Sequence, residues 1–267
     1  IIYGKVRVGG AIVYDEATGT NNKILHRVIA MAGHEVQSFD EVYINDEIAT
    51  IDGNNNVTSP SQYNGKIKIY FKLGAPDQDA ELALVNESSK WTTSHRLRGI
   101  AYMYVRLVFD ADAFPNGIPT FTAGIKGKKV YDCRDYSTAW SDNPALCLRD
   151  YLTSKYGLNE TGGSIDDALV ISAANVCDQT NTIANTTRYT CNGAFTTVST
   201  PYDMMSEMLK SMGGSLWYAQ GKWRMKPAYW TNPVMDLNND DLRSAISVST
   251  RHSRRDNFNV IKGTFRG

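Results

Sequence analysis

The chain has 267 residues, of which 42% are hydrophobic and 21% charged, which is typical of a folded protein and excludes a disordered one. Lysine plus arginine number 28 and aspartate plus glutamate also number 28, so a net charge of zero gives no electrostatic reason to expect nucleic acid or an anionic membrane as partner. No apolar run approaches the roughly 18 residues of a spanning helix.

The first half of the chain predicts short β-strands. Alternating or apolar runs between turn residues predict strands over 1–14, 24–31, 35–51 (two strands around a bend), 66–73, 99–110, 120–125 and 129–131. The run 99–110 is apolar on both faces, so we expect it in the centre of a sheet. The polar segments 15–23 and 52–65 predict a hairpin loop and a mobile surface loop, and 79–86 a weak helix. This spacing of short strands favours an antiparallel barrel or sandwich.

After residue 131 the pattern becomes helical. One helix is predicted to begin at Pro144, capped by Asp142 or Asn143, and to end at Gly157. A second is predicted to start in a sequence like a capping box at Ser164 and to run to about residue 178.

The third predicted helix has the clearest boundaries. Thr200 is its expected cap, Pro201 its first residue, and the glycines at 213–214 its stop. A β-hairpin should follow, with its turn at 220–221.

The C-terminal end of the chain returns to a strand pattern. Alternation at 245–250 and 257–265 predicts strands that rejoin the β domain, which makes the helical part an insertion. We therefore expect three parts: 1–131 (one β-rich domain or two small β subdomains), 132–235 (an α+β domain with three helices and a hairpin) and 236–267 (returning strands). Because a strand pattern is present at residue 1 and continues almost to the end, the chain is expected to be an internal piece of a longer polypeptide.

The cysteines show no metal-site spacing. None of the four lies in a CxxC pair, and no histidine is near them in sequence; they are Cys133, Cys147, Cys177 and Cys191. Cys177 and Cys191 flank a polar loop and could form a disulfide, although buried free thiols are the default expectation.

Catalytic motifs are missing from the sequence, which contains no P-loop, HExxH or Gly-x-Ser-x-Gly. Three acidic pairs could serve as glycosidase carboxylates if a cleft held them apart: Asp110/Asp112, Asp166/Asp167 and Asp240/Asp241. Helix caps or solvated loop residues are the commoner role for such acids. His34 beside Glu35 could relay protons, but a strand-end histidine held by its neighbours is more usual. We expect no enzyme activity, cofactor or metal, with a cell-wall glycosidase as the alternative.

Aromatic residues indicate contact surfaces. Five tryptophans and 15 tyrosines fit either sheet cores or an interface, and they keep a carbohydrate-binding β module open as a further alternative. The methionine-rich face of the third helix is better suited to core packing than to docking. The basic run 251–255 is expected to be a solvated loop.

Five segments in consecutive order resemble the tail-tip (host-specificity protein J) family of long-tailed bacteriophages and prophages. They are YGKVRVGGAIVY, NNKILHRVIAMAGHEVQSFDEVYINDE, RGIAYMYVRLVFD, FPNGIPTFTAGIKGKKVYD and TAWSDNPALCLRDYLTSKYGL. The resemblance covers most of 1–230, and 52–65 departs from it as an apparent insertion. The last segment is the most specific, through Trp140, Asn143, Pro144, Asp150 and Gly157.

The resemblance implies a structural hub with a β-rich α+β fold like that of baseplate hubs. In that family three copies close the distal end of the tail tube, with β-barrel domains around a threefold axis. The implied partners are the other two copies and neighbouring distal-tail and tape-measure proteins. Regions outside this chain would bind the host receptor. The implied roles are tail assembly, host attachment and DNA delivery, in the virion, after synthesis in the host cytoplasm, with no direct binding of nucleic acid and no membrane segment.

Overall fold

The computed structural model describes residues 1–181, 185–196, 198–244, 247 and 260. Residues Ile1–Tyr229 form one compact unit, and Trp230–Gly267 belong to a second. The strands of the first unit are β1 (Ile2–Tyr3), β2 (Lys5–Val8), β3 (Ala11–Thr18), β4 (Ile24–Ala32), β5 (Ser38–Ile44), β6 (Glu47–Ile51), β7 (Val57–Ser59), β8 (Ile67–Lys72), β9 (Ala101–Val108), β10 (Phe121–Lys126), β11 (Lys129–Tyr131), β12 (Thr138–Trp140), β13 (Thr180–Asn181), β14 (Thr186–Thr187), β15 (Gly193–Ala194), β16 (Ser215–Ala219) and β17 (Lys222–Lys226). Its helices are α1 (Leu82–Glu87), α2 (Pro144–Thr153), α3 (Asp167–Cys177) and α4 (Pro201–Lys210).

Two antiparallel sheets form the β-rich part. One has the strand order β2-β10-β5-β6-β7 and the other the order β3-β4-β9-β8. The sheets meet where β2 continues through a Gly-Gly pair into β3, and again where Asn56 bridges to Lys68 of β8. The predicted β-rich α+β fold with antiparallel sheets is therefore confirmed.

The first hydrophobic cluster fills the space between these sheets. Alternation along each strand directs one face inward, as the pleat requires. Its fully buried members include Ile44, Ile67, Ile69, Met103, Val105 and Ile125. Full burial of such side chains contributes about 1.5–3 kcal/mol each. β9 pairs with both β4 and β8, which confirms its predicted central place.

The outer face of the four-stranded sheet is covered by α1. Leu84 packs with Trp91, Tyr102 and Tyr104 in a smaller cluster. Burial alone would raise the pKa of the neighbouring Glu16 carboxyl, but hydrogen bonds from Ser88, Tyr14 and Ser89 outweigh it and lower the pKa to about 2. This carboxylate therefore ties β3 to the loop after α1.

Two loop predictions in the β-rich part are wrong. The strand β3 extends through Asp15, which Arg27 on β4 holds by two hydrogen bonds of 2.8 and 2.7 Å, so the predicted hairpin loop 15–23 is shorter than expected. The Asn-rich segment 52–65 contains β7, and its Val57 and Tyr63 are buried. Both side chains join the first cluster, so this segment is part of the sandwich.

The helical part follows the predicted capping signals at two of its three helices. Asn143 caps α2 by accepting a hydrogen bond from the Ala145 backbone N–H at 3.0 Å. Thr200 caps α4, with its Oγ1 accepting from the Asp203 N–H at 3.2 Å. The hairpin β16–β17 turns at 220–221 as predicted.

The two other helix boundaries differ from the prediction. α2 ends at Thr153, before Gly157. α3 is capped by Asp166 instead of Ser164, because Ser164 ends a 3-10 turn and a parallel bridge to Trp223 keeps Ile165 extended just before Asp166. The bond from the Asp166 N–H to the Trp223 carbonyl, at 3.0 Å, fixes the same boundary.

A second hydrophobic cluster joins α2, α3, α4 and the hairpin. Its core includes Leu146, Leu148, Tyr151, Val170 and Met208, all almost fully buried. The methionine face of α4 packs here, as its spacing predicted. The cluster also takes in Tyr3 from β1 and Val130 from β11, so the N-terminal strand belongs to both cores.

All four cysteines are free and buried, and no disulfide links Cys177 to Cys191. Burial raises the pKa of Cys133, and it raises that of Cys177 to about 11. A hydrogen bond between Cys147 and Cys191 raises the pKa of Cys147 and lowers that of Cys191, but all four thiols are buried. Because the thiolate is the reactive form and burial keeps the reagent away from the sulfur atoms, we expect almost no reaction of the native chain with a chromogenic disulfide reagent at pH 8. In guanidinium chloride all four thiols should titrate. Fast modification of the native chain, or fewer than four thiols after unfolding, would contradict the structure.

The second unit contains one short turn of 3-10 helix, Asn239–Asp241, among its described residues. The side chains of Trp230, Val234, Met235 and Leu237 are largely exposed. The strands predicted at 245–250 and 257–265 and the basic run 251–255 lie, apart from residues 247 and 260, outside the described residues.

Candidate functional site at the junction of the two cores

The N-terminal strand joins the two cores. β1 pairs with β15, nearly two hundred residues later, through Ile2↔Ala194 and Tyr3↔Gly193. Ile2 packs in the first cluster and Tyr3 in the second. The junction is also held by Trp140, whose Nε1 donates to the Gly4 carbonyl at 3.2 Å. Trp140, which the family resemblance singled out in the sequence, therefore fixes the place where the chain passes from one core to the other.

A charged cluster lies beneath this strand. The Tyr3 hydroxyl donates to Asp150 Oδ2 at 2.6 Å, and Lys128 Nζ donates to both Asp150 oxygens at 2.8 and 2.6 Å. Burial raises the pKa of Tyr3, and the negative charge of Asp150 raises it further. Tyr3 is therefore a permanent hydrogen-bond donor, and Asp150 connects β1, α2 and the segment before β11.

His34 lies on the first-core side of the junction and is held by backbone groups. Its Nε2 accepts from the Ile2 N–H at 2.9 Å, and its Nδ1 is 2.7 Å from the Glu35 carbonyl. Since Nε2 accepts, Nδ1 carries the proton and donates. Burial, which outweighs the bond to Glu35, lowers the pKa of His34 to about 4. Glu35 itself pairs with Lys129 at 2.8 Å, so these contacts favour the structural role over a proton relay.

Acid should therefore weaken the junction. The unfolded chain binds a proton at His34 near pH 6.5, whereas the folded chain binds it only near pH 4. The unfolded state holds more protons in that interval, so stability falls as pH drops from 6.5 to 4, by about 3 kcal/mol for the full difference. Urea unfolding at pH 7, 5.5 and 4.5 measures this slope.

The control is His34→Gln, which does not titrate. Burial also lowers the pKa of His26, so part of the slope should survive in the variant. Equal slopes in the two proteins would contradict the assignment to His34.

A cleft of about 770 Å³ opens above this cluster. His34 and Lys128 line it beside Arg98 and Ile100 from the segment before β9, and Lys155 and Tyr156 from the segment after α2. Its lining combines cations with apolar side chains. A second pocket, which shares Arg98 and adds Arg96, adjoins it.

The acidic pairs singled out in the sequence are occupied by structural contacts. Asp110 accepts from the Asp112 and Ala113 backbone N–H groups and pairs with Lys66 at 2.5 Å. Asp166 caps α3, and Asp167 pairs with Arg149 at 2.7 Å. Asp110, Asp166 and Asp167 therefore serve separate local contacts, and neither pair lines the cleft. The remaining pair, Asp240/Asp241, forms the 3-10 turn of the second unit.

The described part of the chain contains neither a metal-binding cluster nor a membrane-spanning helix. No group of three or more histidines, cysteines or acids in that part of the chain could hold a metal ion. Among the same residues, no helix combines the length and apolar character needed to cross a membrane.

Comparison with known proteins finds similarity in sequence to a phage protein. No protein family model matches the chain. The chain is similar to the baseplate hub protein pb3 of Escherichia phage T5, at 24% identity over 99% of this chain and 35% of that protein. It therefore spans about a third of the length of this relative.

Among solved structures, the virion of the native gene transfer agent particle contains a chain that matches with a TM-score of 0.45 and 17% identity. The match covers 86% of this chain and 52% of that one.

Proposed function

We propose that this chain is a structural part of the hub of a bacteriophage or prophage tail. The observation that carries the proposal is the similarity to a baseplate hub protein, which extends over 99% of the chain. The fold agrees with such a role, since two packed cores are joined by polar contacts, and Asp110, Asp166 and Asp167 are engaged in local structure.

The finer features are proposed from the resemblance to the J-type tail-tip proteins. The chain would work in a trimer at the tail tip and contact distal-tail and tape-measure proteins. Host attachment and DNA delivery would use regions beyond these residues. The protein would be made in the host cytoplasm and incorporated into the virion, and it would not act as an enzyme.

The division into 1–131, 132–235 and 236–267 is part of the same proposal. The separation of the first and second hydrophobic clusters supports a boundary near residue 131. Tyr3 and β1 cross that boundary, so we expect the first two parts to unfold together.

Immunogold electron microscopy tests the hub proposal. Antibody raised against this chain should label particles from the encoding strain at the far end of the tail. Label on the capsid or along the tail shaft, or unlabelled particles that lack the protein by mass spectrometry, would contradict it.

Two further measurements test the finer features. Chemical cross-linking of intact particles should give a ladder that ends at three copies, and a ladder that ends at two or continues to six would contradict the trimer. A peptidoglycan-release assay on the chain should show no activity, and release abolished by Asp110→Asn or Asp166→Asn would support a glycosidase instead.

A further inference from the structure

We propose that the cleft at the junction binds an acidic and apolar peptide segment of a neighbouring protein. This inference rests on the proposed function only for the identity of that neighbour as a component of the particle. The binding chemistry is argued from the lining of the cleft.

The cations of the cleft differ in how they are paired. Lys128 is neutralised by Asp150, which also accepts from Tyr3. Arg96, Arg98 and Lys155 form no ion pair within the described residues. Arg98 Nε bonds only the Gln78 carbonyl at 3.3 Å, and Lys155 Nζ lies 4.8 Å from the Tyr156 ring. The cleft and its adjoining pocket therefore carry an excess of positive charge.

The segment 96–100, which carries Arg96 and Arg98, is held in a fixed shape. The Gln78 side-chain amide donates to the carbonyls of Arg96, Leu97 and Ile100, and its oxygen accepts from the Gly74 N–H at 2.9 Å. Leu97 has a φ of 47°, a left-handed conformation that costs a bulky residue free energy and persists only where the surroundings hold it. These hydrogen bonds fix the backbone of the segment. The two guanidinium groups have no carboxylate partner among the described residues. Because the segment is ordered before binding, less conformational entropy is lost when a ligand binds.

The C-terminal end of α2, whose following segment lines the cleft, does not repel an anion strongly. The last carbonyls of α2 are satisfied locally, since the Asp150, Leu152 and Ser154 oxygens accept from the Ser154, Glu160 and Gly157 N–H groups. Lys155 directly follows this helix end and offsets its dipole.

The lining favours a peptide over a nucleic acid. A volume of about 770 Å³ lies within the roughly 300–1,000 Å³ of ligand sites. Ile100 and the exposed Tyr156 offer apolar contact next to the cations, which suits a segment that alternates carboxylate and aliphatic side chains. Nucleic-acid sites instead follow the backbone with an extended basic surface, and this chain has no net positive charge.

Fluorescence anisotropy with a labelled probe tests the proposal. The probe is a five-residue peptide that alternates aspartate or glutamate with leucine, and its amide counterpart carries asparagine and glutamine. The intact chain should bind the acidic probe at least about tenfold more tightly than the amide probe at low salt. Arg98→Glu and Lys155→Glu should each weaken binding by about tenfold or more.

Lys222→Glu is the matched control, because it makes the same charge change on an exposed cation of the hairpin that does not line the cleft. It should change binding by less than about twofold. Arg98→Gln, with no new charge, should give an intermediate loss. Circular dichroism verifies that each variant is folded.

Three outcomes would overturn the inference. They are absence of binding by the folded chain, binding that all variants retain, and displacement of the peptide by an equimolar single-stranded oligonucleotide. If the acidic peptide does not bind, the hub proposal is unaffected. If gold label is absent from the tail end, the peptide-binding result is unaffected.

Discussion

Replacing Gly4 with alanine should lower the free energy of unfolding by about 2–4 kcal/mol. Gly4 has a φ of 63°, which costs any other residue about 1 kcal/mol or more. A Cβ there would also overlap the Cys191 carbonyl oxygen and the Asn192 side chain, and backbone cannot move aside as a flexible side chain can. Since β1 would have to separate from β15, the two cores would lose their shared strand.

Gly65→Ala is the matched control for Gly4→Ala. Its φ of 71° is similar, but nothing lies within 4 Å of the added Cβ, so only the conformational cost of about 1 kcal/mol should appear. Urea unfolding of both variants at pH 7 measures the difference. Equal losses would show that the contact between Gly4 and the segment 191–192 does not constrain the junction.

Local signals in the sequence predicted much of the fold. The cap and proline at Thr200 and Pro201 specify where α4 begins, and the 220–221 turn specifies the hairpin, because each acts within a few residues. The strand 99–110 was placed in the centre of a sheet because both of its faces are apolar. In each case the information lies next to the element that it determines.

Contacts distant in sequence could not be predicted in this way. β1 is two residues long, and its partner β15 has no strand pattern of its own. Val57 and Tyr63 lie in a segment rich in asparagine, serine and glycine, so the local composition gave no indication that they are buried. Ser164 and Asp166 are both good caps, and only the bridge to Trp223 selects Asp166.

The junction was only partly visible in the sequence. Trp140 was expected to be a scaffold anchor, and Asp150 was noted only through the family resemblance. Tyr3 and Lys128 were missed, because Tyr3 is 147 residues from Asp150 and nothing in the neighbourhood of either residue indicates the pairing. A partly buried acid on an otherwise apolar helix, as at Asp150 of α2, is the signal that could have indicated a paired partner.

Asp150→Ala should have the second large effect, a loss of about 3 kcal/mol in the free energy of unfolding. The substitution leaves the fully buried Tyr3 hydroxyl without an acceptor and the Lys128 ammonium, with 26% of its side chain exposed, without its counter-charge. Lys128→Met should cost less, about 1–2 kcal/mol, because Asp150 then keeps its bond from Tyr3.

The double variant decides between a coupled cluster and independent contacts. Because the uncompensated ammonium is absent from the double variant, Asp150→Ala with Lys128→Met should cost less than the sum of the single losses, by about 1 kcal/mol or more. Glu207→Ala breaks the exposed pair with Lys210, in which both side chains are more than half exposed, and should cost less than about 0.5 kcal/mol. Strict additivity at the junction, or a loss at Asp150 no larger than at Glu207, would mean that the charged cluster does not hold the two cores together.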